Sequence, residues 1–345
     1  MDQVDVVAVV GSCASERLSY AKRLAAMSHR MLVPASRLAV SPDPIDEALA
    51  LAPWADRPGG ALIEFPGSVD MPEVIGSLAG ASAPTRLMGV VCVVDATHLL
   101  DDLWRDTYMN RVNSPARDTA RPEQVAEALL TAMQIEYASH IVLVNWSALS
   151  TPDLSMVMAV VGALAPRARV RLHRRVMEPW TAGEPYQVGQ DAPGWVALLN
   201  GAFDPHLTDR RVSGFRYENV RPLHPGRLQT LLDERIEPGE FGRVIRSAGF
   251  CRFATRPHRA ITWDHVGQMI SYSPLSYDHL STDDEALIAV GQELAFIGID
   301  LDHDRLSAAL DDVALTDGEL LSGPQVWARF FDPFPAWPTA ADRAE

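Results

Sequence analysis

Short, wholly apolar segments alternate along the first half of the chain with longer segments whose apolar residues recur at helical spacing. Val6 to Val10 form a β-branched apolar run, and comparable runs end in Glu64, Asp95 and Asn145. Runs of this kind are typical of parallel strands buried on both faces. From residue 4 to about 175, the alternation therefore predicts an α/β fold built on a doubly wound, mostly parallel sheet.

The second half has a different pattern. Residues 212–220 alternate in the manner of a strand, 244–254 and 294–299 are strand-like, and helical segments are expected at 224–232 and 302–310. Strands interrupted by only two helices predict a second, smaller α+β domain. The segment 97–121 is polar and reads as a mobile loop, and Arg121-Pro122-Glu123 is expected to open the next helix.

Composition narrows the setting. The chain has 345 residues and a formal charge of −15, which argues against broad attraction to DNA. No apolar run approaches the length of a membrane span, and the acidic amino terminus predicts a cytoplasmic protein. Three cysteines lie far apart in the sequence, so neither a disulfide framework nor a metal site is expected.

The turn after the first strand carries the first candidate chemistry. Gly11 lies where a phosphate-binding loop begins, but the pattern G-x-x-x-x-G-K-[ST] is broken, because Glu16, Arg17 and Leu18 occupy its last positions. A glutamate there adds a negative charge facing a polyanion, and leucine has no hydroxyl for magnesium. Ser19, one place later, is the candidate substitute. The first helix is expected over residues 17–29.

Two further strand ends complete a possible nucleotide site. Glu64, followed by Gly67, has the form of an acid that holds magnesium and a glycine that meets the γ-phosphate. Asn145 begins a guanine-recognition motif in which Ala148 replaces the essential acid. One interpretation is a strand and helix with no ligand. The other is a degenerate site for GTP and Mg²⁺ made of Gly11, Arg17, Ser19, Glu64, Gly67 and Asn145.

Several motifs resemble one family, the CobW-type P-loop GTPases, which include metal chaperones. In the first domain the similar segments are Ile63-Glu64-Phe65-Pro66-Gly67, Val91-Cys92-Val93-Val94-Asp95-Ala96 and Gln134-Ile135-Glu136-Tyr137-Ala138. In the second they are Arg221-Pro222-Leu223-His224-Pro225-Gly226-Arg227-Leu228, Arg246-Ser247-Ala248-Gly249-Phe250 and Glu293-Leu294-Ala295-Phe296-Ile297-Gly298. The pattern and composition divide the chain into residues 1–175, a linker at 176–210, a second domain at 211–334 and a loosely ordered tail at 335–345, and the resemblance implies a P-loop domain for the first and a CobW-like domain for the second.

Departures from the family pattern shape the functional expectation. The family's C-x-C-C metal motif is missing, since residues 35–62 contain no cysteine. The resemblance therefore implies a pseudo-GTPase without cofactor that serves as an interaction or regulatory factor. The alternative is a working GTP-dependent zinc chaperone with an unusual phosphate loop. The chain also resembles an actinobacterial group associated with zinc limitation, which implies the ribosome or a hibernation factor as the partner.

Arginines in the second half are the expected contacts for such a partner. Arg210, Arg211, Arg216 and Arg221 carry guanidinium groups suited to phosphate or carboxylate. A second basic cluster, residues 173–175, reads either as a solvated face or as a contact for RNA. His224 is expected to be a hydrogen-bonded turn residue and not a metal ligand.

Overall fold

A computed structural model describes residues 3–111, 123–174, 184–186, 193–257, 259–277 and 291–337. The chain divides into two compact units, the first formed by residues 1–194 with 204–209 and the second by residues 195–203 with 210–345. None of the helices in the described ranges is long and apolar enough to cross a lipid bilayer.

The first unit is an α/β layer structure whose elements alternate along the chain. Its strands are β1 (Val4–Val10), β2 (Met31–Val33), β3 (Ala61–Glu64), β4 (Thr85–Asp95), β5 (Tyr108–Arg111), β6 (Glu123–Ala126), β7 (His140–Val144) and β8 (Arg169–Leu172). Its helices are α1 (Ala14–Met27), α2 (Ala35–Leu38), α3 (Pro44–Leu51), α4 (Met71–Leu78), α5 (Leu99–Asp102), α6 (Glu127–Glu136) and α7 (Thr151–Leu164).

Six of these strands form one sheet in the order β2-β3-β1-β4-β7-β8, and every pairing within it is parallel. Residues Val6 to Val10 are fully buried, as the apolar run predicts for a central strand. Val7 and Val9 pack against Ala21 and Leu24 of α1. The predicted doubly wound parallel sheet is confirmed.

The second unit is built on an antiparallel sheet. Helix α8 (Gly194–Leu199) is followed by β9 (Val212–Asn219), α9 (Pro225–Leu231), β10 (Arg243–Cys251), β11 (Arg259–Val266), β12 (Met269–Tyr277), β13 (Gln292–Ile299), α10 (His303–Val313), α11 (Asp317–Ser322) and α12 (Pro324–Trp327). Five strands pair in the order β12-β11-β10-β13-β9. Trp263, Phe253 and Phe296 fill the core between this sheet and helices α9 and α10. The prediction of a separate α+β domain is confirmed.

Two local predictions in the first unit are wrong. Residues 123–126 do not open a helix; they form β6, which pairs antiparallel with β5, and α6 begins only at Glu127. Pairing with a neighbouring strand outweighs the helix-start signal of a proline, while Arg121 and Pro122 lie outside the described residues. The expected loop at 97–121 likewise contains α5 and β5, and its remainder from 112 lies outside the described residues.

Two expectations for the second half also differ from the structure. The segment 176–210 was expected to be a linker, but it contains α8, whose residues Ala197, Leu198 and Leu199 are buried. The expected loose tail packs as far as Trp337, whose indole Nε1 donates to the Tyr272 carbonyl oxygen at 3.0 Å. The Arg256 guanidinium lies 4.2 Å from the centre of that indole ring. Apolar and aromatic side chains that find a core become ordered even in Pro-rich sequence.

Candidate functional site

The candidate site lies at the carboxyl edge of the parallel sheet. Strand β1 lies between β3 and β4, so Gly11 is flanked by Glu64 at the end of β3 and Asp95 at the end of β4. The carboxyl ends of parallel strands form the usual ligand edge of such sheets. The strand order therefore brings together Gly11 and the two acids that the sequence placed at strand ends.

The turn between β1 and α1 is short. It consists of Gly11, Ser12 and Cys13, because α1 begins at Ala14 and not at residue 17 as predicted. In a phosphate-binding loop, the residues at positions 14–16 would curl around the ligand. In this chain they form the first turn of α1. Gly11 has φ +146°, and a Cβ there would lie 2.2 Å from the Val93 carbonyl oxygen. Close approach to β4 thus accounts for this glycine without any ligand.

Arg17 occupies the place of the phosphate-binding lysine, but its side chain points into the protein. It is 4% exposed, and its Nε donates to Glu64 Oε1 at 3.0 Å while Nη1 donates to the Gly11 carbonyl oxygen. The second Glu64 oxygen, Oε2, accepts from the Ala35 amide at 3.0 Å. The cation of the loop and the acid of β3 therefore neutralise each other inside the fold.

The head of α1 is acidic. Burial raises the pKa of the Cys13 thiol, and the carboxylates of Asp102, Asp95 and Glu16 raise it further. The hydrogen bond with Ser12 opposes these effects only in part. Burial is the largest cause of the shift, and the three carboxylates near the thiol would repel a polyphosphate at the helix end.

Asn145 and Asp95 are engaged with each other. Asn145 has φ +55°, and its Nδ2 donates to Asp95 Oδ2 at 2.6 Å. Burial raises the pKa of Asp95, but hydrogen bonds from Thr97 and Asn145 outweigh it and leave the pKa below its ordinary value. Trp146 is half-buried and donates through Nε1 to the His173 carbonyl oxygen at 2.8 Å, a packing role.

The remaining predicted site residues are placed differently. Ser19 is exposed on α1, past its first turn, and is not among the groups gathered at the helix head. The Gly67 carbonyl oxygen accepts from Gln134 Nε2 at 2.9 Å. The structure thus brings Gly11, Arg17 and Glu64 together, and holds Asn145 on Asp95.

A series of hydrogen-bonded polar side chains beside the turn was not predicted from the sequence. Ser12 Oγ donates to Asp102 Oδ2 at 3.1 Å, and Arg105 Nη2 donates to Asp102 Oδ1 at 2.6 Å. Arg105 Nη1 also donates to Glu127 Oε2 at 3.2 Å. Both Asp102 and Arg105 lie within residues 97–121, and because this segment was expected to be a mobile loop, neither was considered as a site residue. The Arg105 and Glu127 charges were visible, but their proximity depends on how α5 and α6 pack.

The four arginines that were expected to bind a partner lie in two different settings. Arg210 and Arg211 are exposed before β9. Arg216 forms ion pairs with Glu218 and Glu293, the latter at 2.7 Å, and Arg221 pairs with Asp317 at 2.5 Å. Intramolecular pairing reduces the charge that Arg216 and Arg221 present to another molecule.

Metal ligands are also sparse. Within the described ranges, no group of three or more His, Cys, Asp or Glu side chains could hold a metal ion. All of the cysteines are free, and burial raises the pKa of the Cys92 thiol to about 12. In the absence of a metal, this thiol is therefore protonated at neutral pH.

Comparison with known proteins finds relatives of both the second unit and the longer chain. Residues 212–314 match the cobalamin synthesis protein cobW C-terminal domain. The zinc-regulated GTPase metalloprotein activator 1 of Dictyostelium discoideum is 25% identical over 288 residues, which are 76% of this chain and 59% of that protein. The chain therefore spans less than two thirds of that relative.

Two solved structures also align with the chain. They are the Zn(II)-bound YjiA GTPase from E. coli, at 12% identity, and a Zn(II)-bound triple mutant of YjiA, at 14% identity. Each alignment covers 91% of this chain and 100% of the other, with a TM-score of 0.33. The match of the second unit and the similarity to the metalloprotein activator support a relationship to the CobW-type P-loop GTPases.

Proposed function

We propose that this protein is a CobW-type family member that does not hydrolyse nucleotide and acts as an interaction or regulatory factor. The observation that carries the proposal is the buried pair of Arg17 and Glu64, whose side chains are 5% and 3% exposed. In this pair, the positive charge of the phosphate loop and the acid of β3 bind each other.

Recruiting Arg17 to a phosphate would break that pair. It would leave Glu64 buried with an uncompensated charge, which costs about 3 to 5 kcal/mol in comparable cases. The ligand would also have to approach the carboxylates of Asp95, Asp102 and Glu16 around the head of α1. The residues present therefore do not fit the phosphates of GTP.

The side chains at the positions expected to bind Mg²⁺ and guanine also do not fit these groups. Leu18 offers no oxygen to a cation, and Glu64 has both oxygens occupied by Arg17 and Ala35. Asn145 is held on Asp95, and Ala148 has no acceptor for the guanine edge. Leu18, Glu64, Asn145 and Ala148 thus do not provide the cation site or the base specificity of a GTPase.

Titration with a fluorescent GTP analogue and Mg²⁺ tests the proposal. We expect no saturable binding in the micromolar range and no GTP turnover. The triple variant Glu16→Gly, Arg17→Lys and Leu18→Thr is expected to gain at most partial affinity, because Ala148 remains. Arg23→Lys on the exposed face of the same helix is the matched control. Micromolar binding and turnover by the unaltered protein would overturn the proposal.

The interaction role calls for a macromolecular partner, for which the family resemblance suggests the ribosome or a hibernation factor. Arg210 and Arg211 are the candidates chosen for the test, because both are exposed at adjacent positions just before β9. Charge reversal of Arg210 and Arg211 is expected to weaken co-purification from zinc-starved cells, more at low salt than at high. Reversal of Arg167, another exposed arginine, is the control. Unchanged co-purification with the fold intact would move the surface elsewhere.

A GTP-dependent zinc chaperone is the second candidate, favoured by the name of the Dictyostelium relative. It requires a zinc site, and the described residues do not group three suitable side chains together. Elemental analysis of the purified protein discriminates between the two functions. We expect no stoichiometric zinc, and one tightly held zinc per chain would favour the chaperone.

A further inference from the structure

A small cavity opens beside the turn between β1 and α1, within the first unit. Its volume is about 360 Å³, counting the solvent at its mouth. It is lined by residues of the turn, of the loop after β3, of α5 and the segment after it, and of α6, namely Ser12, Gly67, Asp102, Arg105, Glu127, Thr131 and Gln134. Met109 and Leu130 supply an apolar wall. Neither Arg17 nor Glu64 lines it, so it is separate from the ion pair described above.

Gln134 is the unusual member of this lining. It is 2% exposed, and its Nε2 donates to the Gly67 carbonyl oxygen at 2.9 Å. Its Oε1 is buried and has no hydrogen-bond partner among the described residues. Rotating the amide would set Oε1 against the Gly67 oxygen, so the present orientation is the favourable one. A buried amide oxygen without a donor costs about 1 to 3 kcal/mol.

The charged groups of the cavity are unbalanced. Arg105 binds both Asp102 and Glu127, so a single guanidinium faces two carboxylates. The Asp102 side chain is 7% exposed, while that of Glu127 is 26% exposed. The cavity therefore combines excess negative charge with an orphaned acceptor and an apolar wall. Anions are disfavoured there, and a group that donates hydrogen bonds and carries positive charge is favoured.

We propose that this cavity binds the protonated amine of a small alkylammonium group, with Gln134 Oε1 and Glu127 accepting its hydrogen bonds and Met109 and Leu130 contacting its carbon chain. The ammonium can belong to a free small amine or to a lysine side chain of a peptide. The site uses neither Arg17 nor Glu64, so its test does not depend on the ion pair that carries the proposed function.

Binding of n-propylammonium to the full chain, followed by NMR chemical-shift titration, tests the site. Saturable shifts are expected at Gln134 and Glu127, and n-propanol should bind less tightly because it lacks the charge. N-acetyl-lysine methylamide is the second arm and distinguishes a lysine side chain from a free amine. Saturation by Mg²⁺ or K⁺ but not by either amine, or no saturation by any probe, would overturn the proposal and leave an ordered water as the partner of Gln134.

Variants sharpen this test. Glu127→Gln should weaken n-propylammonium binding about fivefold, since it removes one partly exposed charge. Glu47→Gln is the matched control, because Glu47 is also paired with an arginine and is 23% exposed, close to the 26% of Glu127. Gln134→Met should weaken binding about tenfold by removing the acceptor. Should that variant fail to fold, Glu127→Gln still decides, and equal binding by Glu127→Gln and Glu47→Gln would contradict the proposal.

Discussion

Each unit contains a buried arginine that forms an ion pair with an acid, and the two ion pairs differ in their place in the fold. In the first unit, Arg17 binds Glu64 at the ligand edge of the parallel sheet. In the second, Arg246 of β10 binds Asp264 of β11, and also the Ser247 and His265 carbonyl oxygens, within the antiparallel sheet. The second arginine joins neighbouring strands. The first pairs with Glu64 at the edge where the sequence predicted a nucleotide site.

The family motif of the second unit is mainly structural. Arg227 binds both carboxylate oxygens of Glu319, at 2.8 and 2.9 Å, and also donates to the Ala314 carbonyl oxygen at 2.9 Å. The hydrogen bond from Arg227 lowers the pKa of Glu319 to about 2. The motif around Arg221 to Leu228 is therefore explained by contacts with the chain that follows α10. A retained pattern in this unit is not in itself a sign of a partner surface.

Breaking the Arg17 pair is expected to have the largest effect. Arg17→Met leaves Glu64 buried and unpaired, so the free energy of unfolding should fall by about 3 to 5 kcal/mol. Arg221→Met should cost less than about 1 kcal/mol, because its partner Asp317 is 83% exposed. Urea denaturation measures both. Adding Glu64→Gln to Arg17→Met should recover much of the loss, since the amide oxygen still accepts from Ala35. Equal losses of stability in Arg17→Met and Arg221→Met would contradict the comparison.

The glycines of the site give the next contrast. Gly11→Ala forces a Cβ to within 2.2 Å of the Val93 carbonyl oxygen at a positive φ, so a loss of about 1 to 3 kcal/mol is expected. A Cβ on Gly67 would have its nearest neighbour at 4.0 Å, so Gly67→Ala should be close to neutral. Thermal denaturation of the two variants measures this. A Gly67 variant as unstable as the Gly11 variant would show that the turn is not the constrained element.

Acid should destabilise the second unit through His265. His265 is buried, and its Nδ1 lies within hydrogen-bonding distance of Ser247 Oγ, at 2.9 Å; Ser247 Oγ also accepts from Trp263 Nε1 at 2.8 Å. Burial, and then Arg246, lower the pKa of His265 from 6.5 to about 4, against weaker opposing effects of Gly267 and Asp264. Because the unfolded chain binds this proton more readily, stability is present above pH 6.5 and is lost as the pH falls toward about 4.

That loss amounts to about 2 kcal/mol between about pH 7.5 and about pH 5. Denaturation followed by the fluorescence of tryptophan at both pH values measures it. His265→Gln removes the titrating group, so its pH dependence should be smaller by about the same amount. An equally steep pH dependence in the variant would assign the effect to other groups.

The smallest effect is expected at His224, which lies at the amino-terminal cap of α9. Its Nδ1 accepts from the Arg227 amide at 3.4 Å, as expected for a turn histidine. His224→Ala should cost about 1 kcal/mol, and His224→Asn, which keeps a capping acceptor, should cost less. Both variants lose the stacking of the ring on Phe330, so the difference between them isolates the cap. Identical urea midpoints would show that the cap contributes little.

The sequence by itself determined the elements that depend on local pattern. The apolar run of β1 and the alternation of buried strands with helices identified the parallel sheet, because strand burial and helical periodicity are visible in neighbouring residues. The broken phosphate loop was also visible, since Glu16, Arg17 and Leu18 stand in consecutive positions. The order of these residues therefore sufficed to question nucleotide binding.

Only the tertiary structure determined which charged side chains form ion pairs. Arg17 and Glu64 are 47 residues apart, and they meet because β1 and β3 are neighbours in the sheet. Strand β6 formed where a helix was expected, because β5 offered it hydrogen bonds that no local signal reveals. Gln134 acquired an orphaned oxygen through the packing of α6 beside Gly67. Pairing between distant segments depends on strand order and helix packing, which the pattern of one segment does not encode.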